Sequence, residues 1–244
     1  MAILAFLSDI MAKILRLFYE VVPNYGWGII FLTFLLRLIL FPTSINQVRS
    51  MEVMKVIQPK LKEIQDKYRD KPEELNRRMM ELYREHKYNP LSGCLPLLLQ
   101  LPFLFALFGL LNNPARFAID LSNEYFLGIL LTAKGGANIL GSVGNLVLAV
   151  LSALTTFFQQ KVMSPPQTGS SESAASMQTT FLYFMPIFFG YITYTMAAAI
   201  GIYWVAQNVI GIVQQYVIIK FFLPKAKAGE EESTAQRKSR PKGR

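Results

Sequence analysis

Arg37 is the one charged side chain between Tyr25 and Ile45, in a run that is otherwise apolar or neutral. It lies ten residues after Trp27 and five before Pro42. With Trp27 anchoring a membrane interface, a rise of 1.5 Å per residue places Arg37 roughly 15 Å deep, near the bilayer centre. A guanidinium there costs about 2.5–3.5 kcal/mol on insertion scales, so it needs a partner or water. The other long apolar stretches, 91–111, 143–162, 179–197 and 200–222, contain no Asp or Glu. The expectation is a water-filled cavity in which the unpaired guanidinium attracts carboxylates, because the local dielectric lies below that of water. Snorkelling of the side chain to the cytoplasmic surface is the alternative.

Further polar residues are expected to line the same cavity. Thr33 precedes Arg37 by one helical turn and shares its face. Gln100 is the main hydrogen-bonding side chain of its apolar stretch. Trp204, Asn208 and Gly211 fall on one helical stripe, with Gln207 beside it. Taken singly, each amide is equally an interhelical hydrogen bond. Taken with an unpaired arginine, they point to a wet groove.

Catalytic chemistry finds little to build on. His86 is the single histidine and Cys94 the single cysteine, which leaves no His-based triad or metal centre and no disulfide. Ser92-Gly93 has no membrane histidine to activate it, and there is no phosphate-cradling GxxxxGK[ST] loop. No cofactor is expected, and the chain is not expected to be an enzyme.

The elements that position these residues are read from composition and period. Hydrophobic residues make up 52% of the 244, charged residues 17%, and the charges cluster in 49–87 and 220–244. That pattern predicts an all-α integral membrane protein with five transmembrane helices. The spans are placed at about Tyr25–Ile45, Leu91–Leu111, Val143–Val162, Thr179–Ala197 and Ile200–Phe222. Pro96, Pro102 and Pro186 within them are tolerated where neighbouring helices and water satisfy the freed backbone groups. Residues 1–24 read as an interfacial amphipathic helix rather than a signal peptide, with Ile3, Leu7, Ile10, Ile14, Leu17 and Val21 on one face. Asp9, Lys13, Arg16 and Glu20 occupy the opposite face. Within the 25–223 core, residues 47–89 carry two apolar stripes, Val53–Tyr68 and Leu75–Leu82, broken at Asp70-Lys71-Pro72. They predict a helical hairpin, with Pro72, Glu73 and Glu74 suited to a helix start. Residues 112–141 read as a mixed loop with a short apolar piece at Tyr125–Leu131, 164–176 as a flexible connector, and 224–244 as a disordered basic tail.

The hairpin holds eleven Lys and Arg, whereas the 112–141 loop holds only Arg116 and Lys134. This bias predicts a cytoplasmic hairpin, connector and tail, with the N-terminus outside. The net charge of +9 fits the same bias plus attraction to anionic lipid, and does not require DNA. The tail offers phosphate contacts to ribosomal RNA, or to anionic lipid, or serves only as a topology signal. The hairpin is either a solvated pair packed on its own stripe or a mobile docking element.

Several runs resemble the YidC insertases and their mitochondrial and chloroplast relatives. Thr33-Phe-Leu-Leu-Arg37 followed by Phe41-Pro42 is similar to the family's first core span, and Gln58-Pro59-Lys60 to the start of its hairpin. Asn89-Pro-Leu-Ser-Gly-Cys94-Leu-Pro-Leu-Leu-Leu-Gln100-Leu-Pro102 closely resembles its second span. Met185-Pro186, Ile202-Tyr203-Trp204, Asn208 and Gln214-Gln215 look like its last two spans. The resemblance covers roughly residues 20–223. The chain departs from it at the outer turn, where Ala197-Ala-Ala-Ile200-Gly201 stands in place of a Pro-Ala-Gly-Leu-like sequence. It is expected to be a minimal core form, without the large periplasmic domain or the lipoprotein cysteine of other members.

The resemblance implies a plasma (inner) membrane insertase that moves short polar tails of client proteins into a hydrophilic groove and releases their hydrophobic helices into lipid. It implies nascent membrane proteins as partners, with or without the Sec translocon. Arg37 is then the attractant for acidic client residues, and Thr33, Gln100, Tyr203, Trp204, Gln207 and Asn208 are the groove residues. A small-anion transporter or channel using Arg37 is the competing reading, as is a purely structural assembly factor. The absence of an internal repeat counts against transport.

Overall fold

Pro42 ends one helix and opens the next. The computed structural model of the chain describes residues 2–89, 95–121, 124–135, 139–163 and 172–223. In it α2, Tyr25–Ile39, stops at Leu40, and α3, Phe41–Lys67, leaves at a bend of 65°. Proline has no N–H to give and its ring crowds the carbonyl four residues back, here Leu38. That carbonyl instead accepts the N–H of Leu40. The span expected at about Tyr25–Ile45 is therefore broken by this bend, its first helix ending at Ile39.

Two helices occupy most of residues 47–85. α3 is joined through residues 68–71 to α4, Pro72–Glu85, with Pro72 in the first helical turn. The pair meets on its apolar stripes, where Ile57, Leu61 and Leu82 are buried among Val53, Ile64 and Met79. Outward it is laced by charge, with Arg77 and Arg78 both on Glu74.

Helix α1, Ala2–Val21, leaves the apolar face marked by its spacing open and packs on the bundle through another. Ile3, Leu17 and Val21 are 72%, 63% and 80% exposed, whereas Ser8, Met11, Ala12 and Leu15 are buried. The buried set also recurs at helical spacing, so the helix has two apolar sectors and a polar one. The core is taken by the narrower sector because small residues let α1 approach α5, Leu95–Asn112, closely: Ser8 Oγ donates to the carbonyl of Ala106 at 2.8 Å. Leu15 packs where Gly28 of α2 has no side chain; a Cβ there would stand 2.6 Å from Leu15 Cδ1.

Between residues 114 and 130 the described residues form more regular structure than a mixed loop. After a 3-10 turn at Pro114–Phe117, β1 (Tyr125–Phe126) and β2 (Ile129–Leu130) pair antiparallel, a small departure from an all-α fold. The turn places Leu127 at φ 50° and Gly128 at φ 79°, the left-handed pair that a two-residue hairpin requires. Phe126 covers Gly26, where a Cβ would collide with its ring, and meets Trp27 edge-on.

Three helices complete the bundle: α6 (Ile139–Met163), α7 (Glu172–Thr195) and α8 (Ala198–Val217), the last continued by a π turn at Ile218–Phe222. Helix α7 reaches back into the connector expected at 164–176, and residues 164–171 lie outside the described set. Gly190 brings α7 against the Ala149 and Ala153 turns of α6. By length and composition, Val143–Met163 and Ala198–Phe222 suffice to cross a membrane, the bent pair α2–α3 forms a third candidate, and Leu98–Asn112 is a shorter apolar helix. The start of the second expected span, 91–94, and the 224–244 tail lie outside the described residues.

The end of the bundle near the β-hairpin is sealed by main-chain bonds. A helix start leaves N–H groups without intrahelical partners. Ala198 N and Ala199 N of α8 donate to the carbonyls of Ala133 and Leu131, both at 2.9 Å. Asn145, fully buried on α6, holds Nδ2 within 3.3 Å of the carbonyls of Ala133, Tyr194 and Met196.

Candidate functional site

Arg37 sits in the last turn of α2, two residues before the helix ends. The C-terminal carbonyls of a helix carry partial negative charge, which favours a cation there. Its Nη2 donates to the main-chain carbonyl of Gln207 on α8 at 2.8 Å, while its buried Nε has no partner among the described residues. An α-helical carbonyl already accepts the N–H four residues on, here that of Gly211. With no Cβ at Gly211, the guanidinium reaches this carbonyl as a second donor. No carboxylate pairs with Arg37 among the described residues.

The other expected site residues divide between two faces of α8. On the face toward α2 and α5, Gln100 Nε2 donates to the Tyr203 hydroxyl at 3.3 Å, and Gln207 supplies the carbonyl to Arg37. Tyr203 is 2% exposed. On the face toward α6, Trp204 Nε1 donates to Thr156 Oγ1 at 3.1 Å. Asn208 Nδ2 donates to Thr156 Oγ1 at 2.8 Å and to Thr155 Oγ1 at 3.0 Å. Phe189 of α7 stacks on Trp204 at 4.1 Å. Gly211 is the hinge between the two groups, since a Cβ there would meet both Arg37 and Gln159 of α6.

Thr33 does not join Arg37. It is buried, and its hydroxyl donates to the Ile29 carbonyl of its own helix at 2.7 Å. A threonine at this position satisfies itself on the preceding turn rather than lining a cavity.

Helix α6 supplies functional candidates that the sequence reading passed over. Asn145, Ser152, Thr156 and Gln159 recur at seven, four and three residues along an otherwise apolar helix. Asn145, Ser152 and Thr156 are buried, and Thr193 Oγ1 donates to Ser152 Oγ at 3.2 Å. That polar stripe was the available signal. Away from the sealed end, buried side-chain atoms lack partners among the described residues: Gln160 Oε1, Gln207 Oε1, Gln215 Oε1 and both amide atoms of Gln214. Buried polar groups are almost always hydrogen-bonded. This end of the bundle therefore offers several unmet donors and acceptors, whereas near the β-hairpin the one such atom among the described residues is Asn145 Oδ1.

Comparison with known proteins places the chain among relatives. The family model described as 60Kd inner membrane protein matches residues 17–226. The chain is 38% identical over 214 residues to the membrane protein insertase YidC of Fusobacterium nucleatum, which covers 88% of this chain and 95% of that protein. It is 34% identical over 217 residues to the insertase YidC of Endomicrobium trichonymphae and 33% over 226 to that of Treponema denticola. It spans 40% and 38% of those two longer proteins. Matched along nearly its whole length by the family model and by a relative of similar size, this helical, multi-pass chain belongs to the 60Kd inner membrane protein family, that of the YidC insertases.

Proposed function

We propose that the chain inserts other proteins into the inner membrane, using Arg37 to draw acidic residues of a client's short polar tail into a groove between α2, α5, α6 and α8. The observation that carries this reading is the guanidinium at the end of α2, held by a carbonyl rather than neutralised by a carboxylate. A main-chain carbonyl orients the charge and leaves it unbalanced, so an incoming carboxylate gains a charge-assisted partner. The unmet amide oxygens of Gln207 and Gln215 and both amide atoms of Gln214 provide further polar contacts. The bonds around Asn145 and Ala198 support closure on the outer side.

In this reading the chain crosses the membrane five times, with α1 at the outer interface and the α3–α4 hairpin and tail in the cytoplasm. A polar tail moves into a hydrated slot at lower cost than into hydrocarbon, and the client helix then partitions into lipid without nucleotide hydrolysis. The test is reconstitution of the purified protein with a single-span client bearing an acidic tail. Insertion is expected to fall with Arg37→Ala and to survive in part with Arg37→Lys. Unchanged insertion with Arg37→Ala overturns the mechanism, and saturable anion flux through the empty vesicles would show a small-anion transporter instead.

A further inference from the structure

We propose that α1 and the 3-10 turn at Pro114–Phe117 form a binding site for the headgroup of an anionic phospholipid. Lys13 and Arg16 of α1 and Arg116 of the turn converge on one open cleft of about 300 Å³, together with Asp9 and Phe117. None of the three cations forms an ion pair among the described residues. The Arg116 guanidinium lies 5.7 Å from the centre of the Phe117 ring, which holds it over that side of the cleft. The geometry is fixed from below, because Ser8 and Leu15 clamp α1 to the bundle.

Two further observations identify the ligand. The first is charge. Three cations face one carboxylate, and the surplus suits a phosphodiester with net negative charge. The carboxylate of Asp9 suits a headgroup that also carries hydroxyl donors, as phosphatidylglycerol does. The second is the surface beside the cleft. The outer sector of α1 exposes Phe6 and Leu17, each 63% exposed, and Ile10 at 38%. A charged cleft bordering an apolar helix face has the two halves that a lipid presents, headgroup and acyl chain.

The distribution of basic residues sharpens the case. In the orientation proposed above, on which this inference rests, the outer segments 1–24 and 112–141 contain four Lys and Arg: Lys13, Arg16, Arg116 and Lys134. The positive-inside bias disfavours cations there. Three of the four line a single cleft.

The full chain, reconstituted in nanodiscs of equal parts phosphatidylcholine and phosphatidylglycerol and released into detergent, is examined by native mass spectrometry for retained lipid. Phosphatidylglycerol is expected to be retained in preference to phosphatidylcholine, and the preference to fall about fivefold for each of Lys13→Gln, Arg16→Gln and Arg116→Gln. Lys134→Gln, outside the cleft, is expected to leave it unchanged. All four sites are exposed, so the single variants fold, which the unfolding midpoint verifies. Equal loss in Lys134→Gln, or no loss in the cleft variants, overturns the site. Retention of phosphatidylcholine as strong as that of phosphatidylglycerol overturns the anionic preference, and displacement by millimolar inorganic phosphate overturns the lipid as occupant. Insertion by the same variants is measured in parallel, so failure of this site and failure of the Arg37 mechanism are separately visible.

Discussion

A Cβ placed on Gly211 would stand 2.5 Å from Nη2 of Arg37. The guanidinium therefore occupies the space that a side chain on the next turn of α8 would fill. Gly211→Ala is expected to push Arg37 off the Gln207 carbonyl while leaving α8 intact, since alanine is about 1 kcal/mol better than glycine within a helix. The atom displaced is the far end of a flexible side chain, so the fold accommodates it. Insertion of acidic-tailed clients should fall about tenfold, the scale of one lost hydrogen bond to a charged group. Neutral-tailed clients and the unfolding midpoint should change little. Unaltered insertion of acidic tails would remove Gly211 as the residue that positions Arg37.

Thr156 serves two donors at once, Trp204 and Asn208. Thr156→Val keeps the shape and deletes the acceptor. Asn208 retains Thr155, so the main loss falls on the indole of Trp204. Interhelical hydrogen bonds in membranes are worth roughly 0.6–1.7 kcal/mol, and the expected destabilisation lies in that range. Unfolding in mixed micelles measures it, and Thr156→Ser should restore most of the loss.

The site was partly legible in the sequence for a simple reason. A lone charge in an apolar run is conspicuous, so Arg37 could be singled out directly. What the spacing could not supply was the neighbour each face meets. Trp204 and Asn208 share a stripe, as read, but that stripe faces α6, whereas Arg37 meets the adjacent face through Gln207. Thr33 shares a face with Arg37, yet its hydroxyl has a closer acceptor in its own helix. In α1 two apolar sectors both fit a helical period, and only packing against Gly28 and Ala106 chooses between them. The β-hairpin was hidden because Leu127 adopts a left-handed conformation that leucine seldom supplies.

Asn145 closes the end of the bundle near the β-hairpin by bonding carbonyls from the 131–135 segment and the α7–α8 turn. Asn145→Ala leaves the Met196 carbonyl without this donor and frees the turn from α6. Hydrogen exchange at the amides of Ala198 and Ala199 should then rise about two- to tenfold, since one lost hydrogen bond is worth roughly 0.5–1.5 kcal/mol. The exchange of α3 and α4 amides, remote from this end, should stay as it was. Equal protection in the variant and the parent would show that the loop carbonyls alone seal the turn.

Glu74 opens α4 and accepts hydrogen bonds from Arg77 at 2.7 Å and Arg78 at 3.0 Å. The bond from Arg77, aided by that from Arg78, holds its carboxyl below the ordinary value of 4.5. A carboxyl lowered on folding stabilises the folded state above its unfolded value, and this contribution is lost as pH falls through the folded value. The α3–α4 hairpin should therefore loosen below about pH 4.5 in the parent. The arginines are largely solvent-exposed and Glu74 is 27% exposed, so the effect is small, and salt should weaken it further. Glu74→Gln removes the titrating group. Limited proteolysis within residues 68–85 should then show a smaller difference between neutral and acidic pH than in the parent, measured with an acid-active protease and a control substrate. An unchanged pH difference would mean that other carboxylates, not Glu74, set the acid sensitivity of the hairpin.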